Sequence, residues 1–176
     1  MEKQIPTELD AVKEAYRYNS YVQKKYIDAL EKLPPEELLK DRGASHPSMF
    51  DIFVHTIGAY VYWFLVQYPG IPKEKLDAMK DPTTLGEARV MVTEVNAFVM
   101  NFVEGLDEEG FEKSFEGKMS GERWSIPVKY MLWHLVEEEL QHRGELNALF
   151  WQMNIDPPIT DWIDWKMETG VLKKVP

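Results

Sequence analysis

The chain has no cysteine among its 176 residues. This absence excludes a disulfide-stapled secreted scaffold, and it also excludes a protein thiol as nucleophile or metal ligand. Runs of basic residues are missing too, since none is longer than two residues, as at Lys173-Lys174, and the formal net charge is −10. A charge of this sign repels nucleic acid and anionic lipid surfaces, so we expect neither as a partner.

A long uninterrupted apolar run is also lacking. The most apolar stretch, residues 49–66, contains Asp51 and His55, and we expect it to be too short and too polar to span a membrane. The N-terminal residues are charged and amphipathic, without an apolar signal-peptide core. These features predict a cytoplasmic protein.

Four long helical patterns, separated by Pro and Gly, make up most of the chain. With 44% hydrophobic residues it has ample material for a core, and its length predicts a single domain over residues 1–176. The predicted helices cover about 7–33, 45 or 48 to 68, 85–106, and 125 or 127 to 153. This pattern favours an all-α fold, a four-helix bundle, with the tail 154–176 packing back on it.

The helix ends and connections have their own signals. Thr7 is the candidate N-cap of the first helix, Ser45 or Ser48 of the second, and Thr83 or Thr84 of the third. Short helical turns fit residues 35–40 and the linker 70–82, and residues 114–126 fit a two-stranded excursion.

The fourth helix carries a polar seam beside its core stripe. At about 100° per residue its apolar residues form one stripe. The stripe consists of Val128, Met131, Leu132, Leu135, Leu146, Leu149, Phe150 and Met153. His134, Glu138, His142 and Glu145 border it, and a buried carboxylate is costly unless it is paired or bound to a metal. An i,i+4 Glu–His pair suits a single ion, but such pairs are also common on exposed helices.

Two further histidines lie outside this helix. His55 sits in a helix that is apolar on nearly every face, where a lone histidine is either a hydrogen-bonded core residue or a ligand. Spacing alone does not decide between the two. His46 lies in a loop containing Ser and Pro, and we expect no role for it.

The remaining charges of the fourth helix have simpler interpretations. We expect Glu137 and Glu139 to be ordinary solvated charges, and Arg143, which points away from the seam, to be a structural anchor. Glu145 either orients His142 or pairs with Arg143.

A second apolar strip lies on the side of the fourth helix opposite the seam. It consists of Trp133, Val136 and Leu140. Either the tail, with Trp162 and Trp165, covers this strip or a second subunit does, and we favour a homodimer.

These motifs resemble a known family. Residues 134–146, HLVEEELQHRGEL, resemble the last-helix signature of the DinB/YfiT-like metalloenzymes, in which His or Glu precedes a His by four residues and Arg-Gly follows. His55 and Trp63, eight residues apart on an apolar helix, match the family's other mark. The lead-in GERWSIPVKYMLWH and the Asp-Pro-Pro after the last helix also fit.

The resemblance implies a bundle that binds one divalent metal through His55, Glu138 and His142. Glu138 stands where many relatives have His, an arrangement shared with the mycothiol-dependent maleylpyruvate isomerases. Two imidazoles and a carboxylate suit Zn, Ni, Fe or Mn, and three protein ligands leave an open position. His134 is then expected to line the pocket or support a ligand.

The resemblance also implies a small-molecule substrate. Relatives with assigned activities are transferases or isomerases that use a low-molecular-weight thiol, and this is the leading hypothesis here. The alternatives are a hydrolase that uses a metal-bound water, and a non-catalytic, stress-induced bundle that binds a metal or ligand. No catalytic residue is identified beyond the metal-bound thiolate or water.

Overall fold

The computed structural model describes residues 5–71, 74, 79 and 81–175, and within them the chain is mostly helical with one small sheet. The helices are α1 (Glu8–Leu30), α2 (Pro35–Leu38), α3 (Met49–Val61), α4 (Leu85–Glu104), α5 (Glu108–Glu112), α6 (Val128–Gln152) and α7 (Trp162–Glu168). The strands are β1 (Ser114–Met119) and β2 (Glu122–Pro127). The short helix considered for 70–82 lies largely outside the described residues.

Side-chain caps explain where the long helices begin. Thr7 and Asp10 form a reciprocal capping box at α1, and Ser48 and Asp51 form another at α3. Thr84 accepts a hydrogen bond from a backbone N–H in the first turn of α4. Each cap satisfies N–H groups that have no partner inside the helix, a contribution of about 1 kcal/mol. Of the paired candidates in the sequence, Ser48 and Thr84 are therefore the caps.

The four long helices share one core. The main packing partners of α1 are α4 and α6, and α3 packs on the same two helices. The predicted stripe of α6 faces this core, since all its members except Met153 are buried. Large side chains such as Tyr16, Phe64 and Phe150 fill the interior, each contributing about 1.5–3 kcal/mol by burial.

A β-hairpin leads directly into α6. Strands β1 and β2 pair antiparallel, with Phe115 opposite Ile126, and the turn between them has positive φ at Ser120 and Gly121. The predicted two-stranded excursion is therefore present, and a purely all-α description omits it. Because Val128 N–H donates to the carbonyl of Lys113, the hairpin sets the start of α6.

Helix α3 continues without a break as a π-helix over Tyr62–Gln67. Together they form the one described helix that is long and apolar enough to cross a membrane, with a mean hydropathy of 1.5 and half of its window buried. The expectation that this stretch is too short and too polar to span a membrane is therefore wrong, as far as length and composition decide it. A core helix passes the same test, and α3 packs against α4 and α6.

The tail contacts α1 through aromatic side chains. Trp165 is buried, and its ring centroid lies 5.5 Å from that of Tyr18. A groove of about 580 Å³ is lined both by Trp162 and by the three residues of the second strip. Leu140 in that strip remains 50% exposed. The tail therefore borders the strip without fully covering it, and the homodimer stays a prediction.

Candidate metal centre

Three predicted ligands from two helices meet at one point. His55 comes from α3, and Glu138 and His142 lie one turn apart on α6, which packs on α3. Glu138 Oε2 lies 3.6 Å from His55 Nε2 and 3.3 Å from His142 Nε2. One donor atom from each residue falls within 4.8 Å of the others, a spacing that could hold a metal ion.

The three side chains differ in exposure. His142 is 5% exposed, Glu138 19% and His55 41%. The centre therefore runs from the core, at His142, to the surface, at His55. A ligand or solvent reaches it from the α3 side.

A carboxylate fixes the orientation of His142. Glu145 Oε2 lies 2.8 Å from His142 Nδ1, and Ser45 donates to Glu145 from both its backbone N–H and its hydroxyl. Burial raises the pKa of Glu145, but the hydrogen bonds from Ser45 and His142 outweigh it and hold that pKa below its ordinary value. A carboxylate that accepts the Nδ1 proton leaves Nε2 free to face Glu138. Glu145 therefore orients His142, which is one of the two roles expected for it; the other was an ion pair with Arg143.

Arg143 turns to the opposite side of α6. Its guanidinium donates to the hydroxyl of Tyr18 on α1, and this hydroxyl in turn donates to the carbonyl of Thr160 in the tail. Arg143 thus ties α6 to α1 and the tail, which is a structural role.

His46 lies against the site, a contact that the sequence did not predict. Its ring stacks on His55, with the centroids 4.0 Å apart, and lies 5.7 Å from that of His142. Burial, followed by electrostatic repulsion from His46 and His142, lowers the pKa of His55. A neutral imidazole is the form that binds metal. Sequence spacing carried no signal for this contact, because it depends on the path of the loop before Ser48.

A cavity of about 320 Å³ opens beside the centre. It is lined by Val54, His55, Gly58, Ala59, Tyr62, Trp63, Asp81, His134 and Glu138. His134 lies on this wall, with its ring centroid 5.3 Å from that of Trp63 and its Nε2 atom 3.7 Å from Glu138 Oε1. His134 is therefore a neighbour of the three-residue cluster rather than part of it.

Glu139 is buried, so the expectation of a solvated charge is wrong. Its side chain accepts a hydrogen bond from Gln23, and the residue is only 4% exposed. Burial raises the pKa of Glu139 to about 7, against the opposing effects of Gln23 and the charge of Arg143. The sequence indicates this burial, because Glu139 lies about 100° around the helix from Glu138 and so falls near the centre of the core stripe. Glu137, in contrast, is exposed as expected.

The residues present fit a divalent metal. Imidazole nitrogen and carboxylate oxygen together suit Zn and its first-row neighbours. Glu138 is a largely buried carboxylate, and no Lys or Arg of the described chain pairs with it. A carboxylate in that position requires a cation or a proton.

Fold and site together define a mostly helical protein with a His/Glu/His group that could hold a metal ion. The chain belongs to the DinB family, whose model matches residues 6–170. A search of curated proteins gives no match.

Replacing Glu145 with Gln is expected to weaken metal binding about 10–100-fold, the usual cost of losing a carboxylate that orients a ligand histidine. Competition against a fluorescent zinc chelator measures the change. Ser45→Ala, which removes one of the two hydrogen bonds to Glu145, should give a smaller loss. Unchanged affinity in Glu145→Gln would mean that His142 is oriented without this contact.

Proposed function

We propose that this chain is a divalent-metal-dependent enzyme, a transferase or isomerase that uses a low-molecular-weight thiol. The observation that carries the proposal is the cluster of His55, Glu138 and His142 on the edge of a cavity. Membership of the DinB family supports it as well. We further propose that the four long helices form the family's four-helix bundle, and that the protein is a cytoplasmic homodimer without nucleic-acid or membrane partners.

His55, Glu138 and His142 would hold the ion, and three protein ligands leave it open to a further ligand. When bound, a divalent metal supplies Lewis acidity, which lowers the pKa of a thiol or water that it holds. Glu145 keeps the Nδ1 proton of His142 directed away from the centre. The chain's own contribution is thus to lower the pKa of His55, which favours its neutral form, and to orient the ring of His142.

The cavity determines what reaches the centre. Trp63, Ala59 and Val54 give it an apolar wall, whereas His134 and Asp81 add polar groups. Its volume of about 320 Å³ is near the lower limit for small-molecule sites. The apolar wall would hold the carbon skeleton of a small electrophile beside the ligands.

Elemental analysis and a substrate screen test the proposal together. Protein purified without an affinity tag should contain one of Zn, Ni, Fe or Mn. The metal-loaded protein should then turn over pairs of a low-molecular-weight thiol and an electrophile. Turnover of esters or amides without a thiol would instead identify a hydrolase. A large fall in melting temperature on chelation, with no turnover of any substrate, would identify a non-catalytic metal-binding bundle.

A further inference from the structure

The two oxygens of Glu138 face different partners. Oε2 lies near the ring nitrogens of His55 and His142, whereas Oε1 lies 3.7 Å from His134 Nε2. A carboxylate whose two oxygens lie near different imidazoles has the arrangement of a bridging ligand.

A second group of potential ligands shares Glu138 with the first. His134, Glu137 and Glu138 each offer one donor atom within 4.8 Å of the others. The close contacts of His134 use different ring nitrogens, with Glu137 Oε2 3.6 Å from Nδ1 and Glu138 Oε1 3.7 Å from Nε2. An ion between these side chains would take only one of the two nitrogens as its ligand. His134 precedes Glu137 by three residues and Glu138 by four, so α6 places it next to each of the two carboxylates.

The surrounding charge also favours a cation. The wall of the adjoining cavity carries the carboxylates of Asp81 and Glu138, and none of the described residues that line it is Lys or Arg. No Lys or Arg of the described chain forms an ion pair with Glu137 either. The ion-pair partners of Glu137 and Glu138 are imidazoles, which bind metals when neutral.

We infer that Glu138 bridges two metal positions, and that His134 and Glu137 hold a second divalent ion beside the one held by His55 and His142. The inference rests on the proposed function, because the two positions share Glu138. The second ligand set contains one nitrogen and two carboxylates, and it is the more exposed set, with Glu137 64% exposed. It therefore binds more weakly and favours oxygen-preferring ions such as Mn²⁺.

Titration of the metal-stripped full chain with Mn²⁺ and with Zn²⁺ tests the inference, with bound metal counted by equilibrium dialysis and elemental analysis. Two equivalents are expected, the second weaker. His134→Ala and Glu137→Gln should each remove the second equivalent and retain the first, whereas Glu138→Gln should remove both. Glu109→Gln, at an exposed glutamate on α5, is the matched control and should retain two. Electron paramagnetic resonance of the Mn²⁺-loaded wild type should show exchange coupling between bridged ions.

The outcomes separate this inference from the proposed function. A single equivalent that His142→Ala removes, and that His134→Ala and Glu137→Gln leave intact, would overturn the second position and keep the first. No binding by the wild type would overturn both. Two equivalents without exchange coupling would contradict the bridge, as would a second equivalent that survives in both variants.

Discussion

Protein in which His142 is replaced by Ala should bind Zn²⁺ at the His55 position at least about 100-fold more weakly than the wild type. Loss of an orienting neighbour alone costs about 10–100-fold, and a ligand contributes more than its neighbour. His142 is also the most buried of the three candidate ligands, at 5% exposure. Water therefore replaces its nitrogen less readily than it would at the surface. Competition with a chelator of known affinity measures the loss.

A control substitution away from the site tests whether a loss of metal binding reflects a general effect on folding. Glu104→Gln, at an exposed glutamate at the end of α4, should leave Zn²⁺ affinity unchanged, whereas Glu138→Gln should reduce it as His142→Ala does. Circular dichroism establishes that each variant remains helical. Equal affinity in the wild type, His142→Ala and Glu138→Gln would show that the metal binds elsewhere.

The second large effect is on stability, at Glu139. Its pKa is raised from an ordinary value of 4.5 to about 7, chiefly by burial. The stability associated with this group is fully present below the unfolded-state pKa and is lost as pH rises through the folded-state pKa, since ionisation in the core is resisted. At about 1.4 kcal/mol per pKa unit, the loss between pH 4.5 and pH 8 is about 3 kcal/mol.

Glu139→Gln removes this dependence. Gln keeps an oxygen that can accept a hydrogen bond from Gln23, and it has no charge to bury. As pH rises from 4.5 to 8, the free energy of unfolding of the variant should therefore increase by about 3 kcal/mol relative to that of the wild type. Urea unfolding of metal-stripped protein at several pH values measures the gain. Glu109→Gln, at an exposed position, should show no such trend. A constant difference between Glu139→Gln and wild type over this range would show that Glu139 titrates normally.

Local signals in the sequence predicted most of the fold. The capping residues Thr7 and Ser48 and the periodicity of α6 describe interactions within a few residues, which a sequence displays directly. The hairpin was also visible, although weakly. The continuation of α3 as a π-helix was not predicted, because the helical pattern runs through Tyr62–Gln67 without a break.

The site was predictable only in part. The i,i+4 pair of Glu138 and His142 follows from helical geometry, but His55 lies on another helix, and the family resemblance supplied it. His46 was missed because its stacking on His55 arises from tertiary packing of a loop. Glu139 differs from the expectation for another reason: acidic side chains are usually solvated, but its position on the core stripe buries it.

The loop before α3 should tolerate insertions and deletions poorly. Ser45 holds Glu145 and His46 stacks on His55, so one loop contacts both helices that supply the cluster. Surface loops ordinarily accept insertions and deletions. Here a change in loop length would shift two residues against the histidines while leaving every predicted ligand in place. Fusion tags or inserted domains belong instead at the hairpin turn around Gly121.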